Sequence, residues 1–133
     1  MQLNFTSRRP LAEVFQYLTD MARFATVHPV IYRIDALGAD RYRIHERMPI
    51  GLPVRFTYPA TVVGDVAAGT VQMDATVFGL VQISMRFQLT ADGRRTNIRE
   101  DVAFRSWLPV RAVLERTFRR LHAELFAAIE RAV

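Results

Sequence analysis

The feature that most constrains the fold of this chain is an alternation of apolar and polar residues with a period of two, which runs through most of residues 30–105. Successive side chains of a β-strand point to opposite faces of a sheet, so this period predicts strands that have one apolar face. Glycines lie between the alternating runs or at their ends, where turns are expected. The predicted strands are 30–36, 40–48, 54–64, 69–78, 80–90 and 95–105.

The two ends of the chain are organised differently. Residues 2–6 form a short alternating strand, whereas 11–20 and 21–27 space their apolar residues as two short helices do. The pair His28-Pro29 ends the second helix, because the residue before a proline disfavours the helical conformation. A wide apolar stripe predicts one long amphipathic helix over 109–132. The stripe comprises Val110, Val113, Leu114, Thr117, Phe118, Leu121, Leu125, Ala128 and Ile129.

The predicted element order is therefore β-α-α-β6-α, and the fold class is α+β. Half of the 133 residues are hydrophobic, so the chain can bury a core, and we expect a single domain over 1–133. Without an apolar run of about 18 residues or a secretory leader, no membrane span is expected and the cytoplasm is the default compartment.

The composition excludes several classes of function. All 18 basic residues are arginine, so no lysine can form a Schiff base or anchor pyridoxal phosphate. The chain has no cysteine, which excludes disulfides, thiolate metal sites and a cysteine nucleophile. His28, His45 and His122 are not at zinc-ligand spacing, and no glycine-rich phosphate loop is present. We therefore expect neither a metal nor a cofactor.

The turns at the two ends of the predicted sheet differ in character. In a run of antiparallel strands, alternate turns lie at opposite ends of the sheet. The turns at one end are polar, whereas those at the other end, which we name the mouth end, are apolar. The apolar residues of the mouth end are Met48, Ile50, Leu52, Phe78, Leu80, Trp107 and Leu108. This pattern predicts the mouth of a pocket or a contact surface; the alternative is that these loops pack on one another and close the end of the sheet.

Taking the more apolar parity of each strand gives the predicted inward face. A bulge at Pro59 could reverse this parity locally. The methionines of this face suit an adaptable cavity wall, although they suit a filled core equally well. The inward residues are Leu3, Phe5, Tyr32, Ile34, Tyr42, Ile44, Glu46, Met48, Phe56, Tyr58, Ala60, Val62, Val71, Met73, Ala75, Val77, Val81, Ile83, Met85, Phe87, Leu89, Ile98, Glu100, Val102 and Phe104.

Two glutamates, Glu46 and Glu100, stand on this otherwise apolar face. An unpaired buried carboxylate is costly. One interpretation is that each meets an arginine or a hydroxyl group, with Tyr42, Tyr58 and Arg33 as the candidates. The other is that they orient a ligand or act as general acid and base, Glu46 near the mouth and Glu100 deeper along its strand.

The histidines and the single tryptophan have structural and functional interpretations too. His28 lies on the mouth side and could meet Glu46, or could cap its helix. His45 is expected to point outward into solvent, and His122 is expected to be structural. Trp107 either packs on the first turn of the last helix or gates the cavity.

The outer face of the predicted sheet carries a basic patch formed by Arg41, Arg43, His45, Arg47 and Arg55. A solubilising surface is one interpretation, and contact with acidic lipid or RNA is the other. Aromatic residues do not alternate with these arginines as they do in single-strand RNA platforms, so no specific nucleic acid is expected.

The whole chain resembles the helix-grip fold of the START-like superfamily, which includes Bet v 1-type proteins, polyketide cyclases and lipid-transfer domains. The resemblance rests on the element order and on four motifs. These are the F-x-S-x-x-P-L-A-E-V-F-Q-Y-L-T-D opening (residues 5–20), the His28-Pro29 pair, the strand from Tyr42 to Glu46, and F-R-x-L-H-x-E-L (residues 118–125). It implies a curved seven-stranded antiparallel sheet that grips the C-terminal helix, usually around a cavity for a hydrophobic ligand.

The leading hypothesis is binding of a lipid, polyketide or quinone-like molecule in this cavity by a monomer or homodimer, without covalent catalysis. An enzyme hypothesis gives Glu46, Glu100 and His28 roles in proton transfer, as in a polyketide cyclase or hydratase. A third hypothesis, also implied by the resemblance, is a basic protein that acts with quinones at membranes or with ribosomes. The predicted ligand-binding residues are His28, Tyr42, Ile44, Glu46, Met48, Phe56, Tyr58, Met73, Ala75, Ile83, Met85, Phe87, Glu100, Val102, Phe104, Trp107, Leu114 and Phe118.

Overall fold

A computed structural model describes residues 1–48 and 54–132 of the chain. Within them, one antiparallel sheet and three helices follow the predicted order, which confirms the α+β helix-grip fold. The strands are β1 (Gln2–Ser7), β2 (Ile31–Gly38), β3 (Arg41–Arg47), β4 (Arg55–Asp65), β5 (Thr70–Val77), β6 (Val81–Asp92) and β7 (Arg95–Arg105). The helices are α1 (Leu11–Thr19), α2 (Met21–Val27) and α3 (Arg111–Arg131).

The sheet has the strand order β1-β7-β6-β5-β4-β3-β2, and every neighbouring pair is antiparallel. Strands β2 to β7 follow one another by short turns, whereas β1 pairs with β7 at the far edge. The connection from β1 to β2 therefore crosses the whole sheet, and α1 and α2 form it. Asp20 separates the two helices, since its carboxylate accepts hydrogen bonds from the backbone N–H groups of Ala22 and Arg23 at the start of α2.

The hydrophobic core lies between the sheet, α1 and the C-terminal half of α3. Its fully buried members include Leu18 of α1, Phe87 of β6, and Leu125 and Ile129 of α3. The last turn of α3 is held against β1, because Ser7 donates a hydrogen bond to the carboxylate of Glu130. The N-terminal half of α3 is thus left to cover the part of the sheet nearer the mouth end.

Gly64, the last residue of the predicted strand 54–64, is the second-to-last residue of β4. A side chain there would collide with α1, because an added Cβ would come within 2.7 Å of the Thr19 methyl group and 2.8 Å of the Phe15 ring. The glycine therefore allows α1 to approach the sheet closely.

Strand β2 departs from the predicted parity. Its register shifts between Ile31, which pairs with Glu46, and Arg33, which pairs with His45. This β-bulge turns Ile31 inward, where it is buried, and turns Tyr32 outward. The prediction that Tyr32 faces inward is therefore wrong. Its ring instead lies under the guanidinium groups of Arg47 and Arg55, at 5.3 and 4.9 Å from the ring centroid.

Pro59 causes no bulge in the pairing of β4 with β3, which runs without a shift from Arg41–Thr61 to Arg47–Arg55. The pairing of β4 with β5, in contrast, starts only at Ala60 and Ala75. The first five residues of β4 therefore pair with β3 alone, which is consistent with the missing N–H group of the proline. The sheet opens between β4 and β5 near the mouth end.

The turn between β5 and β6 closes this gap from outside. Phe78 and Gly79 both have positive φ angles, of 56° and 64°, as the two central residues of a type I′ hairpin turn require. The Phe78 ring lies 5.0 Å from the ring of Phe56 on β4. A phenylalanine in this left-handed conformation is strained. The contact between the Phe78 and Phe56 rings therefore has to compensate the strain of the positive φ angle.

The apolar stripe predicted for α3 is only partly buried. Val113, which was assigned to the apolar stripe of α3, is 58% exposed, whereas Phe126 and His122 of the same helix are buried. Ile50 and Leu52 lie outside the described residues. No helix in the described part of the chain is long and apolar enough to cross a membrane.

Candidate functional site

A cavity of about 340 Å³ lies between the inner face of the sheet and the N-terminal half of α3. Its wall is predominantly apolar. It is lined by Met21, Phe24, His28, Ile31, Ile44, Glu46, Met48, Phe56, Tyr58, Ala60, Val62, Met73, Asp74, Ala75, Val77, Phe78, Val81, Ile83, Met85, Phe87, Leu108, Val110, Val113, Leu114, Thr117, Phe118, Leu121 and His122. Two larger concavities are surface grooves, one on the outer face of the sheet and one beside Trp107. The enclosed apolar space is the better candidate, because ligand pockets bury most of a ligand's surface.

The structure brings most of the predicted ligand-binding residues together around this cavity. Five of them do not line it. Tyr42 borders the outer groove, Phe104 and Trp107 border the groove beside α3, and Glu100 and Val102 are buried behind the cavity wall. The wall also contains residues that were not among the predicted ligand-binding residues, and His122, expected to be structural, is chemically the most important of them.

Glu100 and His122 form a buried pair. Oε1 of Glu100 lies 2.6 Å from Nδ1 of His122, and the side chains are 0% and 6% exposed. The second carboxylate oxygen of Glu100, Oε2, is buried and has no hydrogen-bond partner. His122 was expected to be structural, and it does pair with a buried carboxylate. Its imidazole also lines the cavity, which was not expected. Glu100 reaches the cavity only through His122.

Aromatic rings surround His122 on three sides. The centroid of its imidazole lies 5.0 Å from that of Phe118, 6.3 Å from that of Phe87 and 6.4 Å from that of His28. Phe87 is nearly parallel to the imidazole, at 19°. This packing fixes the orientation of the histidine and lowers the local polarity, which strengthens the electrostatic interactions of the pair.

His28 follows α2 and occupies its C-terminal cap. Its Nδ1 accepts hydrogen bonds from the backbone N–H groups of Val30, at 3.3 Å, and Ile31, at 3.1 Å. Although the residue keeps some solvent exposure, its imidazole is enclosed by protein. Burial, and secondly the charge of His122, lower the pKa of His28 from 6.5 to about 3. The ring is therefore neutral at physiological pH, and the capping interpretation from the sequence is correct.

Glu46 and Tyr58 face the cavity from β3 and β4. The Tyr58 hydroxyl donates a hydrogen bond of 3.3 Å to Oε1 of Glu46, so one of the partners expected from the sequence is the observed one. Burial raises the pKa of Glu46 to about 7, and the bond from Tyr58 opposes this shift. Burial, and then the nearby Glu46, raise the pKa of Tyr58 well above 10. Glu46 is thus divided between its neutral and ionised forms near pH 7.

These polar groups are linked one to the next along one side of the cavity. Glu100 contacts His122, whose ring meets that of His28 nearly edge-on at 85°. Nδ1 of His28 accepts a hydrogen bond from the backbone N–H group of Ile31, and Ile31 is the strand partner of Glu46. We find no hydrogen bond between His28 and Glu46 in the described part of the chain, so the sequence-based contact between them is replaced by this indirect link.

The mouth end carries exposed apolar side chains, as the sequence predicts. Phe78, Leu80 and Trp107 are 58%, 42% and 78% exposed. Trp107 therefore does not pack on the first turn of α3, which excludes one of its two expected roles. Leu108, the next residue, lines the cavity instead.

The outer face of the sheet carries its own polar network. Asp35 lies 2.8 Å from His45 and 2.9 Å from Arg33, and hydrogen bonds from these two residues lower the pKa of Asp35. His45 points outward as predicted but is paired rather than simply solvated. Arg41 and Arg43 are exposed there. Among residues 1–48 and 54–132, no cluster of three or more acidic or histidine side chains could hold a metal ion.

The C-terminal helix lying against a seven-stranded antiparallel sheet, with an apolar cavity between them, defines a helix-grip protein. Residues 2–133 match the family described as "Polyketide cyclase / dehydrase and lipid transport", and the chain belongs to this family. Comparison with curated protein sequences finds no match.

Solved structures share the fold of this chain. A START superfamily protein from Mycobacterium smegmatis is 13% identical with a TM-score of 0.82, and the match covers 98% of this chain and 93% of that one. Ara h 8.0201 is 16% identical with a TM-score of 0.81, covering 98% and 93%. The ZhuI aromatase/cyclase from Streptomyces sp. R1128 is 18% identical with a TM-score of 0.78, covering 98% and 90%. At these identities the likeness concerns the fold.

Proposed function

We propose that the protein binds a hydrophobic small molecule, of the lipid, polyketide or quinone-like kind, in the cavity between the sheet and α3. The observation that carries the proposal is the apolar cavity of about 340 Å³, which is partly closed off from solvent. This volume falls in the range of small-ligand pockets, about 300–1,000 Å³. A ligand that displaced water from such walls would gain about 25 cal/mol for each Å² of apolar surface that it buried.

The lining suits ligands of variable shape. Met73 and Met85 stand on neighbouring strands opposite α3, and methionine side chains adapt to different contours. A few polar groups, Glu46, Tyr58, His28 and His122, share the wall and would fix the orientation of a bound molecule.

Native mass spectrometry of freshly purified protein, compared with its denatured mass, tests the proposal. We expect a non-covalent adduct, or saturable binding of a member of a panel of fatty acids, quinones and polyketides. Ala75→Leu should fill the cavity and abolish binding, because Ala75 is buried on the inner face. Ala103→Leu is the matched control, since Ala103 is exposed on the outer face. Binding that survives Ala75→Leu unchanged, or no binding to any panel member, would contradict the proposal.

A second candidate function is proton-transfer catalysis in the same cavity. Glu46 favours it, because a carboxyl group with a pKa of about 7 can both accept and return a proton near neutral pH. Glu100 is a weaker candidate than the sequence indicated, since it contacts His122 rather than the cavity. Turnover of an aromatic or polyketide-like substrate that is lost in Glu46→Gln would establish this function.

A further inference from the structure

The protonation of His28 is fixed by its backbone contacts. Its Nδ1 accepts N–H bonds from Val30 and Ile31, so this nitrogen carries no proton. The neutral ring must then carry its single proton on Nε2. Nε2 makes no hydrogen bond within the described residues, and the ring lines the cavity. His28 thus presents an N–H donor to the bound molecule.

Counting the protons of the Glu100–His122 pair indicates that Nε2 of His122 carries a proton too. A buried pair with net charge is costly, so the pair is expected to hold two protons and be neutral overall. One proton lies in the bond between Oε1 and Nδ1. The other could lie on Oε2 of Glu100 or on Nε2 of His122. Oε2 is buried without a partner, so a proton there would have no acceptor. Nε2, on a ring that lines the cavity, is the better place.

We propose that the Nε2–H groups of His28 and His122 form a two-donor site for one carbonyl oxygen of an apolar ligand. The inference rests on the proposed binding function and names the ligand's polar group. The ring centroids are 6.4 Å apart and the rings are nearly perpendicular. A centroid separation of 6.4 Å is short enough for one oxygen to lie within reach of both rings through hydrogen bonds of about 2.9 Å.

The chemistry of the site favours a carbonyl over other oxygen groups. A hydroxyl group would bring its own proton to a place where the neighbouring acceptors, Nδ1 of His28 and Oε1 of Glu100, are already engaged. A carboxylate would bring a negative charge beside two groups that are neutral overall, in an apolar wall. A carbonyl only accepts, which matches two donors. The other titratable residues of the lining are Glu46 on β3, Tyr58 on β4 and Asp74 on β5.

A pair of probes of nearly equal shape tests the site. The substituent of 2-acetylnaphthalene contains a carbonyl group. In 2-isopropenylnaphthalene a CH₂ group replaces the carbonyl oxygen. We expect the ketone to bind about tenfold more tightly, as two hydrogen bonds imply. Its infrared C=O stretch should move to lower frequency on binding.

Asparagine substitutions remove the cavity-facing donors selectively. In His28→Asn the amide oxygen can still accept from Val30 and Ile31, and in His122→Asn the amide nitrogen can still donate to Glu100. Each should lower the preference for the ketone about threefold to fivefold and reverse part of the infrared shift. His45→Asn, the same substitution on the outer face, is the matched control and should leave both unchanged.

The outcomes separate the inference from the proposed function. Equal binding of both probes, with no infrared shift, overturns the carbonyl site and leaves the cavity function standing. Failure of both probes to bind, together with failure of the wider panel, overturns both. If either asparagine variant does not fold, long-range ¹H–¹⁵N NMR of the wild-type protein decides instead: an unprotonated Nε2 on either ring would overturn the site.

Discussion

Nδ1 of His122 on the C-terminal helix lies 2.6 Å from Oε1 of Glu100, whose side chain is 0% exposed on β7. This contact joins the C-terminal helix to β7, the strand beside the edge strand β1, through two polar groups in an apolar setting. Removing one partner of such a pair leaves the other buried without compensation, whereas replacing both can be nearly neutral. The relationship therefore has consequences for stability that a double substitution can separate.

We predict that His122→Leu lowers the free energy of unfolding by about 3 kcal/mol or more, because Glu100 is left buried and unpaired. The double variant His122→Leu/Glu100→Leu should recover most of this loss. Denaturant unfolding followed by circular dichroism measures both. A single variant that costs less than about 1 kcal/mol would show that the pair is not what compensates the carboxylate.

Glu46 should make the free energy of unfolding fall as the pH rises, whereas a salt-bridged carboxylate makes it rise. Its pKa is about 7 in the folded protein against 4.5 ordinarily, so the folded state holds the proton more tightly than the unfolded state. Its contribution is favourable below pH 4.5 and is lost as the pH rises through 7. Relative to Glu46→Gln, the wild-type protein should lose about 3 kcal/mol over this range.

The partner of Glu46 provides a control for this prediction. Tyr58 lowers the pKa of Glu46 through its hydrogen bond, so Tyr58→Phe should raise that pKa further. Carbon-13 NMR of the Glu46 carboxyl group follows the titration directly. A Glu46 pKa that stays near 4.5 would contradict the burial of this side chain, and a pKa that does not rise in Tyr58→Phe would contradict the hydrogen bond from Tyr58.

Strand positions were predictable from the sequence because the period of two is continuous and each strand end carries a turn signal. Tyr32 shows where this reasoning fails. A one-residue bulge reverses the parity of a strand, and no residue type marks the bulge in this chain. The cavity wall was predicted well on the strands because parity assigns every second residue to one face.

The polar part of the site was harder to predict. Glu46 and Glu100 stood out as charges on an apolar face, but the pairing of Glu100 with His122 joins residues 22 positions apart on different elements. One signal was available, since His122 lies on the flank of the apolar stripe of α3, directly after Leu121. A histidine in that position needs a buried partner, and the deeper glutamate was the remaining unpaired group.

His28 should make the protein sensitive to acid. Its pKa of about 3 lies below the ordinary 6.5, so between these values the unfolded chain binds a proton that the folded protein does not. Stability due to this group is present above pH 6.5 and is lost as the pH falls towards 3. Wild-type protein should lose about 3 kcal/mol more than His28→Asn between pH 6.5 and 4, as measured by urea unfolding at each pH. Parallel curves for the two proteins would show that the imidazole is not enclosed.

Replacing Phe78 should make the protein more stable but its hold on a ligand weaker. Its φ of 56° is unfavourable for phenylalanine, whereas asparagine accepts this conformation readily. Phe78→Asn should therefore raise the free energy of unfolding by up to about 1 kcal/mol, unless the lost contact with Phe56 cancels the gain. The same variant opens the cavity wall, so a bound ligand should dissociate faster. A variant that is less stable by more than about 1 kcal/mol would mean that the Phe56 contact outweighs the backbone strain.

Trp107 and Leu108 are adjacent residues with different expected roles. Trp107 is 78% exposed and does not line the cavity, so Trp107→Ala should change the free energy of unfolding by no more than about 0.5 kcal/mol. Its effect on the equilibrium affinity for a cavity ligand should stay within about twofold. Leu108→Ala removes a side chain from the cavity wall and should weaken the same ligand about fivefold or more. Isothermal titration of both variants with one ligand makes the comparison, and a larger loss in Trp107→Ala would mean that the tryptophan folds over the bound molecule.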